Sequence, residues 1–329
     1  MPSASVSASV SARAALAGNP SDAHGGAVVA TVVPSLAATV SATAGPAFDF
    51  EGFSERFGSV GEVSDWIERR SMEPHHDDRA APLAHAALTA LHRYVGADVS
   101  PHEFRFSTTI PRSLGLAGSS AIVIATIRTM IAAHRDDPWA RELLHRPELV
   151  ASLALVAERD LLGISAGLQD RVVQTLGGTV AMEFGVEHTH TEHGLDVGSY
   201  RRLGPIPDGL FIACRDGTAG DSGSVHEGVD VTAASFDRAM TAAADAARSA
   251  ADAIARHDAE ALGAAMDATF DQRAEVYRLD PRHVEMVHVA RGNGASVNYT
   301  GSGGSVVVLA PDDRAASALA DLGCTIVAL

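Results

Sequence analysis

The order of apolar and polar residues along the chain predicts a protein with both helices and strands. Residues 82–96 carry apolar side chains at helical spacing, and residues 121–134 are apolar almost all round, which predicts a buried helix. Residues 103–110 alternate between apolar and polar side chains, as a half-buried strand does. Other strands are predicted at 28–43, 179–184, 210–214, 295–300, 305–310 and 324–329, and other helices at 148–162, 231–279 (two), 283–291 and 312–322.

A change in composition at residues 185–209, which are rich in Gly, His and Pro, divides this pattern in two. A chain of 329 residues is also long enough for two domains. We therefore expect a first domain at 12–190 and a second at 205–329. Residues 1–11, a repeat of Ser, Ala and Val, are predicted to be a flexible tail, with an edge strand as the alternative.

The same terminal segment lacks the basic start and the leucine-rich core of a signal peptide. Cys214 and Cys324 are isolated, so neither a disulfide framework nor a zinc site is indicated. Both features are typical of a protein that works in the reducing cytoplasm, which is where we expect this chain to be located.

The net charge of -16 narrows the range of partners. Nucleic acids and anionic membrane surfaces both need a basic face, so we expect neither as a partner. All 25 basic residues are Arg, and the absence of Lys excludes a Walker A loop and Schiff-base chemistry. A small anionic substrate would have to be bound by a local group of arginines.

A loop rich in glycine and serine, residues 111–121 (PRSLGLAGSSA), joins the predicted strand 103–110 to the buried helix. Backbone N–H groups at a helix N-terminus, together with the helix dipole, favour a phosphate chain. Glycine lets the backbone approach the ligand, and the serine hydroxyls can donate to phosphate or bind Mg²⁺. The alternative is an ordinary serine cap after a loop.

This first glycine loop resembles the motif P-x-x-x-G-L-x-x-S-S-A of the GHMP kinases, which bind ATP without a Walker A lysine. Residues 13–22 (RAALAGNPSD) resemble the family's first motif, beside the substrate. Residues 298–304 (NYTGSGG), here called the second glycine loop, resemble its third motif. The resemblance implies a two-domain α+β GHMP kinase fold. It consists of a nucleotide-binding N-terminal domain and a ferredoxin-like C-terminal domain, with the active site in the cleft.

The resemblance also implies roles for individual residues. Asp170 matches the catalytic base, and Ser120 and Glu158 match the ligands of Mg²⁺, which is the expected cofactor. This suits the chemistry, since Mg²⁺ prefers hard oxygen ligands and a hydroxyl nucleophile gains from a carboxylate that accepts its proton. Contacts with ATP are expected at Gly115, Leu116, Gly118, Ser119, Ser120, Gly301 and Gly303.

Longer strings at 17–22, 166–174, 222–229, 270–273 and 290–308 resemble the glucuronokinases within this family. The implied activity is transfer of phosphate from ATP to the anomeric hydroxyl of a sugar acid, D-glucuronate. One departure is Ser224, where that family tends to have lysine.

Asp22 would accept hydrogen bonds from sugar hydroxyls, and an arginine would bind the carboxylate. The candidates for that arginine are Arg13, Arg171 and Arg273. We favour Arg273, because its string FDQR belongs to the glucuronokinase resemblance, although it could instead pair with an acid along its helix.

Two alternatives to this function stay open. One is another GHMP kinase that acts on a neutral sugar or on mevalonate, and the other is a non-catalytic sensor of sugar and nucleotide on the same fold. His188, His190 and His193 have a spacing that a metal site can use, but an exposed hairpin explains them as well.

Overall fold

The computed structural model describes residues 5–70, 80–215 and 231–329. The helices are α1 Val60–Arg70, α2 Ala80–Val95, α3 Gly118–Ala133, α4 Pro138–His145, α5 Pro147–Val156, α6 Leu168–Leu176, α7 Ala234–Ala255, α8 Ala259–Val276, α9 Pro281–Gly292 and α10 Arg314–Asp321. The strands are β1 Ser5–Ala17, β2 Ala27–Ala44, β3 Asp49–Phe50, β4 His102–Thr108, β5 Thr179–Glu183, β6 His190–Glu192, β7 Leu195–Val197, β8 Ser199–Arg202, β9 Leu210–Cys214, β10 Ser296–Tyr299, β11 Ser305–Leu309 and β12 Thr325–Ala328. None of the described helices is both long and apolar enough to cross a bilayer.

The first sheet is built around β2, a strand of 18 residues rich in Val, Ala and Thr. β1 pairs antiparallel with one edge of β2 from Ser5↔Thr43 to Ala17↔Val29, and β4 and β5 share the other edge. The order is β3-β4-β2-β5-β8, with β1 beside β2. The predicted flexible tail at 1–11 is therefore wrong for residues 5–11, which belong to an edge strand. Residues 1–4 lie outside the described ranges.

The second sheet has the order β10-β11-β9-β12, and all its pairs are antiparallel. Numbered along the chain, its strands lie in the order second, third, first, fourth. Helices α7 to α9 come between the first two strands and α10 between the last two. This β-α-β-β-α-β arrangement is ferredoxin-like, as the sequence predicted.

The segment between the sheets is more regular than its composition indicated. β6 and β7 form a small hairpin, and β8 pairs with β5, so the first sheet continues past residue 190 to Arg202. The hairpin of β6 and β7 is the exposed hairpin that the sequence offered as an explanation for the histidines, whereas β8 was missed because its residues SYRR show no alternation of apolar and polar side chains. The division of the chain into domains at 12–190 and 205–329 stays a prediction.

The position of α6 matters most for the site. Its apolar side chains Val172 and Val173 are buried in one cluster with Val28, Val180 and Met182 of β2 and β5. α7 lies against β1 and β2, and α8 lies against β10, so these helices join the two sheets. The C-terminal half of β1, the start of α6 and the loop after β10 therefore come together.

Candidate active site

The first and third sequence motifs are in direct contact, although about 280 residues separate them in the chain. The backbone N–H of Ala15 donates to the carbonyl oxygen of Thr300 at 2.9 Å. The Asn19 side chain donates to the carbonyl oxygen of Tyr299 at 3.1 Å and accepts from the Asn298 side chain at 2.8 Å. These buried bonds fix β1 against the second glycine loop.

The two glycine loops touch through their backbones. A Cβ atom added to Gly115 would lie 2.7 Å from the carbonyl oxygen of Gly303. One added to Gly301 would lie 2.5 Å from the carbonyl oxygen of Gly115. Gly115 also has a φ of +66°, which favours glycine. Any side chain at position 115 or 301 would push the loops apart.

The buried helix α3 begins in the first glycine loop. Ala117, with a φ of 61° in the left-handed region, precedes its first residue, Gly118. Leu116 is buried, and its carbonyl oxygen accepts from the backbone N–H of Arg13 at 3.3 Å. The N–H groups of the first turn, at Gly118, Ser119 and Ser120, have no acceptor within the helix, so they can bind an anion.

Arg13 holds Asp170 and both loops together. It is only 4% exposed; its Nε donates to Asp170 Oδ1 at 2.6 Å, and its NH1 donates to the carbonyl oxygens of Gly115, at 2.7 Å, and Thr300. Burial alone would raise the pKa of Asp170, but Arg13 and then Arg171 outweigh it and hold that pKa below its usual value. Asp170 is therefore ionised and able to accept a proton.

Glu158 lies in a π-helical turn, Ala157–Leu161, that continues α5. Such turns are rare in proteins, and those that do occur are often found at functional sites. The side chain is 0% exposed, and its Oε2 accepts from the Arg171 guanidinium, with Nε at 2.8 Å. Its Oε1 is buried and has no hydrogen-bond partner among the described residues. An unpaired carboxylate oxygen at this depth needs a further partner.

Ser120 and Glu158 have the chemistry to hold Mg²⁺. The Ser120 hydroxyl donates to Gln174 Oε1 at 2.6 Å, which leaves its lone pairs available, and Glu158 offers the unpaired Oε1. Both are hard oxygen donors, the type that Mg²⁺ prefers. The side chains that hold them, Gln174 and Arg171, belong to the same helix, α6.

Asp22 lies at the N-terminus of α6, where its carboxylate accepts from the backbone N–H of Gln169. A Cβ atom on Gly167 would lie 2.3 Å from Asp22 Oδ2, so glycine is needed for this approach. Burial and the nearby Asp170 raise the pKa of Asp22 to about 6, against the opposing effect of Arg13. Asp22 and Asp170 thus differ in pKa although they share one helix end.

Arg273 reaches the site from α8. It is 2% exposed, its NH1 donates to the carbonyl oxygen of Gly301 at 2.8 Å, and its guanidinium lies over the rings of Tyr299 (5.2 Å) and Tyr277 (5.6 Å). Among the described residues, its Nε has no hydrogen-bond partner and no carboxylate forms an ion pair with it. Burial lowers the pKa of Arg273, the direction expected for a charge without a counter-ion.

The structure brings together every predicted site residue, although their roles stay predictions. Ser224 falls outside the described ranges. In the described part of the chain, metal-like geometry is found for Glu142, Glu192 and His193 rather than for three histidines, and the Arg146 guanidinium already binds Glu192. Sequence reasoning gave no role to Gln174, although it ends the string 166–174 that resembles the glucuronokinases and lies one helical turn after Asp170.

Comparison with known families assigns the chain to a class of proteins. Residues 82–178 match the family model "GHMP kinases N terminal domain", and residues 250–325 match "GHMP kinases C terminal". Together the two matches cover more than half of the chain. The chain belongs to the GHMP kinase family, and the predicted two-domain fold is confirmed.

Two individual relatives of the chain are glucuronokinases of a plant. "Glucuronokinase 1" of Arabidopsis thaliana is 34% identical over 226 residues, which are 65% of this chain and 60% of that protein. "Probable glucuronokinase 2" of the same plant is 35% identical over 215 residues, covering 63% and 56%. The chain therefore spans less than two thirds of the length of these relatives. The predicted similarity to glucuronokinases is confirmed.

Among solved structures, the mevalonate kinase of Methanococcus jannaschii superimposes with a TM-score of 0.72 at 14% identity, covering 98% of this chain and 97% of that one. At this identity the likeness shows the shared fold alone.

Proposed function

We propose that this protein is an ATP-dependent sugar kinase that transfers the γ-phosphoryl group of ATP to the anomeric hydroxyl of D-glucuronate. The observation that carries the proposal is the contact of Arg13 with Asp170 and with both glycine loops. Through Arg13 the carboxylate of Asp170 is linked to the first glycine loop, which supports a role for Asp170 next to a bound phosphate chain. The glucuronokinase relatives support the choice of substrate.

Each part of the site then has one task. The free N–H groups at the start of α3 bind the phosphates of ATP. Asp170 accepts the proton of the attacking hydroxyl, and Asp22 accepts hydrogen bonds from other hydroxyls of the sugar. Ser120 and Glu158 hold Mg²⁺, which when bound neutralises part of the phosphate charge.

The carboxylate of the substrate would be bound by Arg273. Of the three candidate arginines, Arg13 is bonded to Asp170 and Arg171 to Glu158, whereas Arg273 has no carboxylate partner among the described residues. A buried charge without a partner is costly, and a uronic acid would supply the missing counter-ion. A guanidinium also suits a carboxylate because it can donate two parallel hydrogen bonds.

Arg273 is also in the right place for this contact. Its NH1 binds the carbonyl of Gly301, and a Cβ atom on Gly301 would lie 2.9 Å from the guanidinium nitrogens of Arg13. Arg273 and the Arg13–Asp170 pair thus flank one residue of the second glycine loop. A sugar acid is small enough to contact both groups.

The test compares kcat/KM for glucuronate, galacturonate, glucose and galactose in the wild type and in Arg273→Ala. We expect the wild type to prefer the acids and the variant to lose that preference by about 2–5 kcal/mol. The matched control is Arg291→Ala. Arg291 also lies over an aromatic ring, that of Phe270, but unlike Arg273 it forms ion pairs with Asp267 and Asp271. The control should keep the preference.

The outcomes separate the parts of the proposal. Equal turnover of glucose and glucuronate by the wild type would contradict the uronate assignment and favour a neutral-sugar kinase. Phosphorylation of none of the sugars would favour a mevalonate kinase or a sensor. Preference for acids that survives in Arg273→Ala would contradict only the role of Arg273.

A further inference from the structure

Gln174 lies on α6, one helical turn after Asp170, and is 3% exposed. Its Nε2 donates to the carbonyl oxygens of Ser11, at 3.0 Å, and Ala117, at 2.9 Å. Its Oε1 accepts from the Ser120 hydroxyl at 2.6 Å. Both N–H donors and the carbonyl oxygen of the amide are therefore engaged.

These bonds fix the direction of the Ser120 hydroxyl. Only the NH₂ group can serve the two carbonyl oxygens of Ser11 and Ala117, so the amide oxygen must face Ser120. Ser120 has one proton to give, and the 2.6 Å bond to Gln174 takes it in preference to the 3.2 Å approach to Ala117. What remains on Ser120 Oγ is lone pairs, which can accept a hydrogen bond or bind a cation.

We propose that Gln174 is a positioning residue that commits the proton of Ser120 and so leaves its oxygen free to bind Mg²⁺. The inference rests on the proposed function, in which Ser120 is a ligand of that ion. Mutation of a residue that orients a metal ligand by a hydrogen bond typically lowers metal affinity by about 10- to 100-fold.

The test measures binding of a non-hydrolysable ATP analogue, AMPPNP, to the full chain by calorimetry, with Mg²⁺ and with EDTA. The ratio of the two affinities reports the metal contribution without any turnover. We expect Gln174→Met, which has a similar volume but no amide, to reduce this ratio about tenfold. Affinity in EDTA should stay within about twofold of the wild type, because the metal-free nucleotide does not use Ser120 as a ligand.

A double-mutant cycle with Ser120→Ala separates positioning from general structural support. If Gln174 acts through Ser120, Gln174→Met causes no further loss of the ratio in the Ser120→Ala background. Losses that multiply in the double variant, or an equal loss of affinity in EDTA, would overturn the proposal. A ratio unchanged in Gln174→Met but reduced in Ser120→Ala would do so as well.

A ratio unchanged in Ser120→Ala itself would contradict the metal assignment of the proposed function, and the inference would fall with it. Should Gln174→Met not fold, Gln174→Asn keeps the amide but withdraws it by one methylene, and a loss of the ratio is expected there too. The control is Thr175→Val, a nearly isosteric change at the next residue. Its buried hydroxyl has no partner among the described residues, so the ratio should not change.

Discussion

Arg13 and Arg171, on β1 and α6, are each bonded to a carboxylate, that of the partly buried Asp170 and that of the buried Glu158. Arg273 on α8 is equally buried but has no carboxylate partner among the described residues. The paired arginines hold Asp170 and Glu158 in place before any ligand arrives, which is the preorganisation that phosphoryl transfer needs. The unpaired arginine is unfavourable in the free protein and becomes favourable when an anion binds. Under the proposed function, the difference separates arginines that hold the site together from an arginine that binds the substrate.

The largest effect is expected at Asp170, the carboxylate that is paired with Arg13. Asp170→Asn keeps the shape of the side chain but removes the charge and the proton acceptor, so kcat should fall by about 10²–10⁴. Nucleotide affinity should stay near that of the wild type, because Asp170 is not placed on the phosphates. Steady-state kinetics and calorimetry with AMPPNP measure the two effects separately. Near-normal kcat in a folded variant would remove Asp170 from the mechanism.

The contrast between paired and unpaired arginines is tested by stability without ligands. Arg171→Met leaves the carboxylate of Glu158 buried and unpaired, so the free energy of unfolding should fall by about 3–5 kcal/mol. Arg273→Met removes a charge that has no carboxylate partner among the described residues, and with it one hydrogen bond to the carbonyl oxygen of Gly301, so the loss should be smaller, about 1–2 kcal/mol or less. Urea unfolding of both variants and the wild type gives the comparison. Similar losses in the two variants would mean that Arg273 is not an uncompensated charge.

The smallest effect concerns the pH dependence of stability at Asp22. The pKa of this carboxyl is raised from 3.8 to about 6 in the folded protein, so folding favours its protonated form. Stability from this group is present below pH 4 and is lost as pH rises to about 6. Asp22→Asn cannot ionise, so we expect it to gain about 1–2 kcal/mol relative to the wild type between pH 4.5 and 7.5.

Unfolding midpoints in urea at those two pH values provide the measurement for Asp22→Asn. Asp136→Asn is the control, because it makes the same chemical change at a side chain that is 95% exposed. A relative stability of Asp22→Asn that is the same at both pH values would show that Asp22 ionises normally.

Local pattern was enough to predict the glycine loops, the buried helix α3 and the four strands of the second sheet, whose ferredoxin-like arrangement was implied by the family resemblance. It was not enough for α6, a helix of nine residues, because no helix was predicted between residues 162 and 179. The bond between Arg13 and Asp170 joins residues 157 positions apart, and no spacing in the sequence signals it. Family resemblance supplied the roles of these residues, but their partners became visible only in the folded chain.

The sequence also did not show which arginines form ion pairs with carboxylates. Arg171 follows Asp170 directly, yet its main partner is Glu158, which reaches it through the π-helical turn after α5. Arg273 could have paired with an acid on its own helix, where Asp271 is close in sequence. Asp271 instead binds Arg291 of α9. Which arginine stays available for a ligand is thus decided by tertiary packing.

The contact between the two glycine loops limits how this site can change over time. Since the contact is made by backbone atoms, with no room for a Cβ atom at Gly115 or Gly301, mutation cannot adjust it in small steps. New acceptor specificities must therefore arise from side chains around the loops. A directed-evolution library would keep both glycines constant and vary position 273, whose side chain contacts the second glycine loop.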